Sequence, residues 1–526
     1  MSIFSLWYHL SMITVFREHF PATKSRFMVY FKLFYPMLIG STLYALNGFI
    51  DNFMVGHINQ GGTALSAVNS WTNIIIGFFI GIGAAGSVIN AKYYFSGDFE
   101  RAQSLFKFRL IFSISISILF GIIAWSTPDT LIKIFLKEPS GTNANFETYN
   151  NALHNAREYQ KIIAISWVLI AITSQMGNSL SEIGHGKSSM YWGYMTIVTN
   201  VALNATLMYG LNFGVEGAAY ASVAARIVAA LFGIYWLLTK DTKISFKIWT
   251  LFKFDLVVVK DFLTKWYLFI AFSSVTLFIT FRNFFYDAGY PTGSNTLGVG
   301  VGAMSVLALT GAIMNIFITT FSASGSMAAN TVGKELSQGH IHKAKKVAKE
   351  LKGFITLMAL ILASILAIFA IAVPYMEFLS EKKWESTNGV WKLVFDNKAN
   401  LLQVRNSLWV VCLFYPMWIW FTVSYRSAAT GKKSLGFSII DIVVSGPVQL
   451  SWIAAIAYGI IPNSDFMLQN FWVSYALFFT SDFILLIGME LLFYKTKWNT
   501  PITTKELKAV KAWGADEITE SQINGK

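Results

Sequence analysis

The stretch LSAVNSWTNIIIGFFIGIGAAGSVINA, residues 65–91, decides the fold class. It carries no charged side chain and is long enough to cross a hydrocarbon core of about 30 Å as a helix. Comparable apolar runs recur along the chain without the alternating pattern of a membrane β-barrel, and only helices and closed barrels satisfy their backbone hydrogen bonds in lipid. With 54% hydrophobic and 13% charged residues, the chain is too apolar for ordinary soluble domains. The sequence therefore predicts an all-α membrane protein.

About twelve membrane-spanning helices fit these apolar runs, from a first span near 33–56 to a last span near 469–494. Six spans precede a basic segment in the middle of the chain and six follow it. The predicted organisation is an N-terminal interfacial segment at 1–32, an N-lobe of six helices at 33–239, a cytoplasmic linker at 240–261, a C-lobe of six helices at 262–494 and a cytoplasmic tail at 495–526.

The positive charge of the chain is distributed asymmetrically about these spans. The net charge is +13, from 41 lysines and arginines against 28 aspartates and glutamates. If the N-terminus is cytoplasmic, about 30 of the basic residues fall in cytoplasmic segments, and Arg226 and Arg282 are the two counted within spans. This distribution predicts a multi-pass protein of the cell membrane with both termini in the cytoplasm. It also argues against nucleic acid as the partner of the basic residues.

An internal repeat relates the two halves. Ser96-Gly97-Asp98-Phe99-Glu100-Arg101-Ala102 follows the second span, and Gln338-Gly339-His340-Ile341-His342-Lys343-Ala344 follows the eighth. The glycine and the basic-alanine pair keep their separation in both segments. Because six spans per half is an even number, the two halves share one orientation, related by a pseudo-two-fold axis along the membrane normal. A cavity between or within such lobes is the architecture of a transporter.

No pattern in the sequence indicates an enzyme. All seven histidines fall in the termini or in loops between the predicted spans, and neither an HExxH pair nor a nucleotide-binding loop occurs. The single cysteine, Cys412, excludes an intrachain disulfide. We therefore predict a secondary active transporter that uses no cofactor other than its coupling ion.

One acidic residue, Asp51, lies within the first span, where a carboxylate costs roughly 3 kcal/mol or more by insertion scales. Counting from the span ends places Asn204 and Ser222 within about one helical turn of the same depth. Asn47 and Asn200 each lie one turn away from Asp51 and Asn204, on the same helix face. A carboxylate among amide and hydroxyl oxygens suits a hard cation such as Na⁺, or a proton carried on the carboxyl group.

Several alternatives remain open at this point. Asp51 could instead form a structural ion pair with Arg226, one turn deeper than Ser222 on the same helix face. The asparagines could serve only to hold helices together, and Ser222 could be a small packing residue. Asp482 lies near mid-membrane in the second half and is a candidate for a second proton or substrate site. Asn178 falls near the cytoplasmic end of its span.

In their order and repetition, these features resemble the multidrug and toxic compound extrusion (MATE) family. The resemblance covers roughly residues 30–495. The segments that carry it are Pro36, Leu43-Tyr44, FIDNFMVGHI at 49–58, ALSAV at 64–68, NVALN at 200–204, GVEGAA at 214–219, FSASGSMAANTVG at 321–333 and Pro447.

The resemblance implies two six-helix lobes around a V-shaped cavity. It implies export of amphipathic, cationic small molecules by antiport with H⁺ or Na⁺, in a monomer that contacts membrane lipid. The family's first-half cation site maps onto Asp51, Asn200, Asn204 and Ser222, with Na⁺ possible at Asp51. The Asn204 position is usually an aspartate, so we expect a single coupling charge, for which ion and cargo compete.

The predicted substrate cavity and hinge add further residues to this site. The cavity residues are Tyr44, Asn47, Asn178, Arg226 and Asp482, and Pro36 is the predicted hinge of the first span. Some relatives carry a glutamate in the seventh span, but the matching stretch here is Ser273-Ser274-Val275. The alternative function is that of a lipid or lipid-linked oligosaccharide flippase, which shares the superfamily and lines its cavity with basic residues. The scarcity of intramembrane arginines favours cationic cargo.

Overall fold

The computed structural model describes residues 18–56, 61–136, 146–240, 242–290, 303–376, 382–387, 390–395 and 398–499. Most of the predicted interfacial segment and most of the predicted tail therefore lie outside the described residues. The helices of the first half are α1 (Lys24–Gly56), α2 (Gly61–Phe95), α3 (Phe99–Ser126), α4 (Pro128–Phe135), α5 (Phe146–Glu182), α6 (Gly186–Asn204) and α7 (Gly214–Thr239). A π-helical segment, Ala205–Gly210, continues α6.

The second half begins after a linker that contains the 3₁₀ turn Ile248–Thr250 and the short helix α8 (Leu256–Leu263). Its helices are α9 (Trp266–Gly289), α10 (Ala303–Phe317), α11 (Thr320–Ala328), α12 (Lys334–Ser337), α13 (Ile341–Ala372), α14 (Lys398–Ala429), α15 (Leu435–Val443), α16 (Gln449–Ala455), α17 (Asp465–Gln469), α18 (Phe471–Phe479) and α19 (Asp482–Lys495). Short π-helical or 3₁₀ segments join several of these helices, namely Ala329–Gly333, Val373–Tyr375, Val444–Val448, Ile456–Ile460 and Ile461–Asn463.

Ten helical segments in the described part of the chain are long and apolar enough to cross a membrane. The pair α10–α11, bent by 41°, makes an eleventh if it is counted as one span. The predicted fifth span is occupied by α6 and its π-helical continuation, which is not among the ten. The all-α membrane fold class is confirmed.

The loop between α13 and α14 adds one element that the sequence analysis does not predict. It contains a two-stranded antiparallel hairpin of β1 (Lys382–Thr387) and β2 (Val390–Phe395), paired in register from Lys382 opposite Phe395 to Thr387 opposite Val390.

The helices pack as two lobes that contact each other through equivalent elements. In the first lobe α1 packs along α6, and α5 packs against α2, α3 and α7; in the second, α13 packs along α14. Between the lobes, α2 packs against α9, while α1 packs against α10 and α11. Thus the first span of each half contacts the second span of the other half, as a two-fold axis requires.

Glycines allow the close contact between α2 and α9. A Cβ added at Gly81 would lie 2.1 Å from Ser273 Oγ, and one added at Gly77 would lie 2.7 Å from Thr276 Oγ1. The two helices therefore approach until side chains of α9 touch the α2 backbone, as small residues permit in membrane bundles.

The loops define two faces of the molecule. We call the face on which α1 begins and α19 ends the basic face; it also carries the linker after α7 and the turn between α2 and α3. The opposite face carries the end of α1 and the start of α2. On the basic face Arg26 Nη1 bonds Glu350 Oε1 at 2.6 Å, and Tyr30 OH donates to Glu350 Oε2 at 3.1 Å. These contacts join α1 to α13 of the other lobe.

The first lobe also contains a fully buried ion pair that the sequence analysis does not predict. Arg109 of α3 binds Glu182 of α5 through two hydrogen bonds of 2.9 and 3.1 Å. Asn90 Nδ2 donates to the same carboxylate at 2.8 Å, and Arg109 Nε donates to Gln175 Oε1 at 3.1 Å. The side chains of Arg109 and Glu182 are 0% and 2% exposed. Because both charges are paired and bonded, this cluster fixes α2, α3 and α5 relative to one another.

Removing one partner of this pair should destabilise the first lobe strongly. We expect Glu182→Ala to lower the free energy of unfolding by about 3–5 kcal/mol, because it leaves a buried guanidinium without a countercharge. The matched control is Glu158→Ala in the same helix, whose partner Lys161 lies 2.8 Å away in an exposed pair. We expect that variant to lose less than about 1 kcal/mol. Unfolding of the purified variants in detergent measures both values, and equal losses would contradict the assigned role of the cluster.

Candidate cation site in the first lobe

Three helices bring polar side chains together near the opposite face. Asp51 lies five residues before the end of α1, and Asn200 and Asn204 lie one turn apart at the end of α6. Ser222 lies on α7, which packs against α6. Asn200, Asn204 and Ser222 are buried. The i, i+4 spacing on α6 directs both amides to the face that packs against α1.

The Asp51 carboxylate accepts hydrogen bonds from four neutral donors. Asn204 Nδ2 donates to Oδ1 at 2.6 Å. Asn47 Nδ2, Asn200 Nδ2 and Ser222 Oγ approach Oδ2 at 3.3, 3.4 and 3.4 Å. These donors hold the carboxylate in place, but none of them supplies a positive charge. Within the cluster, therefore, the Asp51 carboxylate has hydrogen-bond donors but no basic side chain paired with it.

The same cluster presents further oxygen atoms. Asn204 Nδ2 also donates to Asn200 Oδ1 at 3.0 Å, which links the two amides of α6. The Oδ1 atoms of Asn47 and Asn204 are buried and accept no hydrogen bond from the described residues. A buried acceptor without a donor is unfavourable unless a ligand supplies the missing contact. One carboxylate with spare amide oxygens is a donor set suited to Na⁺ or another hard cation.

Arg226 does not pair with Asp51. Its Nη1 donates to Ser166 Oγ on α5, and no ion pair within 4.0 Å joins Arg226 to Asp51 in the part of the chain that the structure describes. Arg226 lies one turn further along α7 than Ser222, so its guanidinium reaches α5 rather than α1. The alternative of a structural ion pair is therefore not found.

Asn178 lies elsewhere in the first lobe. Its Nδ2 lies 2.7 Å from where a Cβ on Gly83 of α2 would be, beside Arg109. Gly83 is 22 residues from the start of α2 at Gly61, about 33 Å along the helix axis. Asp51 lies near the end of α1, on the same face of the molecule as the start of α2. The structure therefore does not bring Asn178 to the Asp51 cluster, because α5 carries it toward the basic face.

Tyr44 and Pro36 share α1 with Asp51. The Tyr44 side chain is 55% exposed and lies two turns from Asp51. Pro36 lies four turns from Asp51 within α1, which runs unbroken from Lys24 to Gly56. Their roles in the cavity and as a hinge stay predictions.

Asp482 forms a separate buried site in the second lobe. Trp418 Nε1 donates to its Oδ2 at 2.7 Å, and Gln449 Nε2 donates to its Oδ1 at 2.5 Å. Asp482 is the first residue of α19, where the span from α18 is interrupted. A cavity of about 660 Å³ opens beside this interruption and includes Ser481 in its wall. This carboxylate lies in the second lobe and Asp51 in the first, and no hydrogen bond among the described residues joins the two acids.

The second lobe also holds intramembrane cations that counting from the sequence missed. Lys352 of α13 pairs with Glu490 of α19 and lies 4.3 Å from the centre of the Trp420 ring. Arg426 of α14 lies 3.6 Å from the centre of the Phe272 ring, and its Nε is buried without an acceptor among the described residues. Lys352 and Arg426 lie near the ends of their predicted spans, where basic residues are common, so their positions in the sequence only weakly indicate a buried role.

Comparison with known proteins agrees with the geometry of the first lobe. The family model MatE matches residues 36–206, which contain Asp51, Asn200 and Asn204. The first half of the chain is thus similar to the MATE family. The chain is 22% identical over 223 residues to the multidrug export protein MepA of Staphylococcus haemolyticus, covering 42% of the chain and 46% of the relative. It is 22% identical over 218 residues to the probable multidrug resistance protein YoeA of Bacillus subtilis, covering 40% and 44%. The match thus spans less than half the length of these relatives.

Solved structures match over a larger share of the chain. One, described as the outward-facing conformation of a multidrug resistance MATE family transporter of the MOP superfamily, has a TM-score of 0.67 at 17% identity and covers 88% of this chain and 95% of its own. Another, of a MOP superfamily transporter from Pyrococcus furiosus, has a TM-score of 0.66 at 18% identity and covers 89% and 96%. These matches establish the fold across both lobes.

Restoring the family's aspartate should strengthen cation binding at this site. In Asn204→Asp a second carboxylate would stand beside Asp51, where the amide now donates at 2.6 Å. We expect Na⁺, compared with choline, to raise the unfolding temperature of this variant more than that of the wild type, because a cation between two carboxylates relieves their repulsion. Asn178→Asp, outside the cluster, is the matched control and should gain no such sodium response. Equal responses of both variants would argue against a cation site at Asp51.

Proposed function

We propose that this chain is a MATE-family secondary active efflux transporter that exports amphipathic, cationic small molecules in exchange for H⁺ or Na⁺. The observation that carries the proposal is the Asp51 carboxylate, held by four neutral donors and lacking a basic partner within 4.0 Å among the described residues. The relatives described as multidrug export proteins support it. We also propose that the chain acts as a monomer in the cell membrane, with its basic face in the cytoplasm and no cofactor besides the coupling ion.

In this mechanism, ion and cargo compete for one negative charge. When Asp51 is ionised, a cationic cargo is held by the charge, and its apolar part contacts the surrounding cavity. Binding of H⁺ or Na⁺ at Asp51 neutralises the carboxylate, and the cargo loses its electrostatic partner. Asn204 orients the carboxylate through its 2.6 Å hydrogen bond, while Asn200 and Ser222 steady the second oxygen. The two bound states exclude each other, which is the requirement for exchange.

The position of α1 connects this site to the other lobe. Thr42 Oγ1 lies 3.0 Å from Thr319 Oγ1, so α1 carries both Asp51 and a direct contact with the second lobe. A shift of α1 on exchange of ion for cargo therefore changes the interface between the lobes. We infer that rocking of the lobes about this interface gives the site access to each side in turn.

A site with one carboxylate predicts electroneutral exchange for a singly charged cargo. One cation enters for each cation that leaves, so the ion concentration ratio is the driving force. We expect a tenfold inward ion gradient, worth about 1.4 kcal/mol, to support at most about a tenfold cargo gradient. Transport in proteoliposomes with separately imposed ion gradients and membrane potentials measures this. A potential that drives uptake of a monovalent cation without an ion gradient would contradict the single-charge mechanism.

Replacing the carboxylate should abolish this coupling. In the same proteoliposomes, we expect Asp51→Asn to lose gradient-driven transport to the level of vesicles without protein, because no charge remains for ion and cargo to share. Asp482→Asn, which changes the buried carboxylate of the other lobe, is the comparison variant and should keep coupling. Both variants must elute as folded monodisperse protein. Wild-type coupling in Asp51→Asn would refute the assigned site.

A flippase for lipids or lipid-linked oligosaccharides is the second candidate function. It is favoured by Arg282 and Arg426, whose buried Nε atoms donate to no acceptor among the described residues and whose guanidinium groups lie over aromatic rings. Unpaired guanidinium groups suit phosphate. The similar structure from Pyrococcus furiosus is described in terms of a reversed polarity of its binding pocket.

The two candidate functions predict different effects of replacing Arg282 and Arg426. If the cargo is a cation, the double variant Arg282→Gln/Arg426→Gln should keep or improve transport of a fluorescent organic cation. If the cargo is a phospholipid or lipid-linked sugar, the same variant should lose translocation of a fluorescent headgroup-labelled lipid in proteoliposomes. Arg405→Gln, at the start of α14 over the Trp409 ring, is the matched control. Lipid translocation that the wild type performs and the double variant loses, with no transport of the organic cation by either protein, would replace the first proposal by the second.

A further inference from the structure

The linker between the lobes, residues 240–265, has two different faces, and one of them packs against the first lobe. Phe246 and Phe254 pack edge-on against Phe106 and Phe108 of α3, with ring centres 5.7 and 5.8 Å apart. The backbone is held as well, because Asp255 N donates to Ser104 Oγ at 2.6 Å. Further along, Val258 and Phe262 of α8 are buried in the main core. The linker is therefore an ordered part of the first lobe.

The other face of the linker exposes large apolar side chains. Ile248, Trp249, Phe252 and Leu256 are 78%, 73%, 79% and 77% exposed. We call these four residues the linker apolar face. They belong to the segment between the spans α7 and α9 and not to a membrane span. Four such side chains within nine residues form a patch of the kind that marks an interaction surface.

The charges of the linker are sorted between the same two faces. Residues 240–265 contain six lysines and three aspartates, a net charge of +3. Asp255 pairs with Arg101 at 3.3 Å, and Asp261 accepts a hydrogen bond from Tyr93, so these two acids face the protein. Lys247 and Lys253 are exposed and flank the linker apolar face. The free surface is thus apolar and basic together.

The position of this surface identifies its partner. The linker starts where α7 ends and stops where α9 begins, so both of its ends are fixed at the boundary of the membrane. Apolar side chains flanked by lysines at that depth are the composition of segments that lie in the headgroup region and attract anionic lipids. A folded protein partner would have to occupy the same boundary layer.

We propose that the linker apolar face inserts into the anionic lipid leaflet that borders the basic face, with Lys247 and Lys253 at the level of the phosphates. The insertion anchors the first lobe, because the linker contacts α3, and it sets the depth of the first turn of α9 in the membrane. The anchor does not depend on ion or cargo binding at Asp51. A transporter of this design would therefore work better in bilayers that contain anionic lipid.

Because the chain has a single cysteine, one substitution removes it, and a cysteine introduced on the linker can then be labelled specifically. In a Cys412→Ser background, Phe252→Cys carries an environment-sensitive fluorophore, and Lys433→Cys in another exposed loop of the basic face is the matched control. The full-length protein is reconstituted in phosphatidylcholine vesicles with and without phosphatidylglycerol. Lipids brominated near the top of the acyl chain then quench fluorophores that enter the bilayer.

We expect strong quenching at position 252 and little at position 433, with quenching at 252 increased by phosphatidylglycerol. Adding Lys247→Gln and Lys253→Gln should lower the ratio of inserted to free linker by about fivefold per lysine in anionic vesicles only. Lys432→Gln should have no effect on position 252. Asp51→Asn should leave the quenching unchanged, which separates this surface from the proposed function.

Three outcomes would overturn the proposal. Equal quenching at positions 252 and 433 would show that the linker does not enter the bilayer. Quenching at position 252 that changes neither with phosphatidylglycerol nor with the lysine substitutions would exclude the anionic leaflet as the partner. Fluorescence at position 252 that changes when labelled protein is diluted with unlabelled protein, at constant lipid, would assign the surface to contact with a second copy.

Discussion

An ionised carboxylate in a bilayer must be solvated by the protein, and the way this chain solvates Asp51 governs the rest of its design. Four donors surround the carboxylate, yet all four are neutral amides or a hydroxyl. Neutral donors lower the cost of desolvation without cancelling the charge. The site is therefore stable enough to exist and still able to attract a cation. A basic residue in place of one amide would have removed that attraction.

The same chain shows the opposite arrangement wherever charge serves structure. Arg109 and Glu182 are joined by two hydrogen bonds. Asn90 donates a further hydrogen bond to Glu182, and Gln175 accepts one from Arg109. Lys352 and Glu490 are paired in the second lobe, with Ser424 Oγ donating to the carboxylate at 2.7 Å. These pairs have no spare charge with which to bind a ligand. Paired charges within the bundle thus stabilise the fold, whereas an acidic side chain without a basic partner marks a candidate site.

Local spacing explains which of these features the sequence predicts. Asp51 with Asn47, and Asn204 with Asn200, are i, i+4 pairs, and depth counted from span ends places both pairs and Ser222 at one level. That information suffices to predict their proximity. The Arg109–Glu182 pair joins residues 73 positions apart, and its formation depends on how α3 and α5 rotate about their axes. Periodicity does not fix that rotation for helices that are apolar on most sides. For the same reason, the sequence leaves open whether Arg226 pairs with Asp51.

Because α1 is one continuous helix, its contacts at different depths are mechanically connected. Near one end it carries Asp51; at mid-length Thr42 contacts Thr319; near the other end Arg26 and Tyr30 both bond Glu350 of the second lobe. The helix runs unbroken from Lys24 to Gly56 and so links all three levels, with the predicted hinge Pro36 between Thr42 and Tyr30. Glu350 is 2% exposed and depends on Arg26 for its countercharge, so separating the lobes at the basic face would leave a carboxylate unpaired until water reaches it. The ion pair therefore favours contact between the lobes at the basic face, and in the proposed mechanism exchange at Asp51 supplies the energy to open it. The proposed exchange therefore needs no chain of side-chain rearrangements between the two ends, only one continuous helix with the candidate cation site near one end and an ion pair at the other.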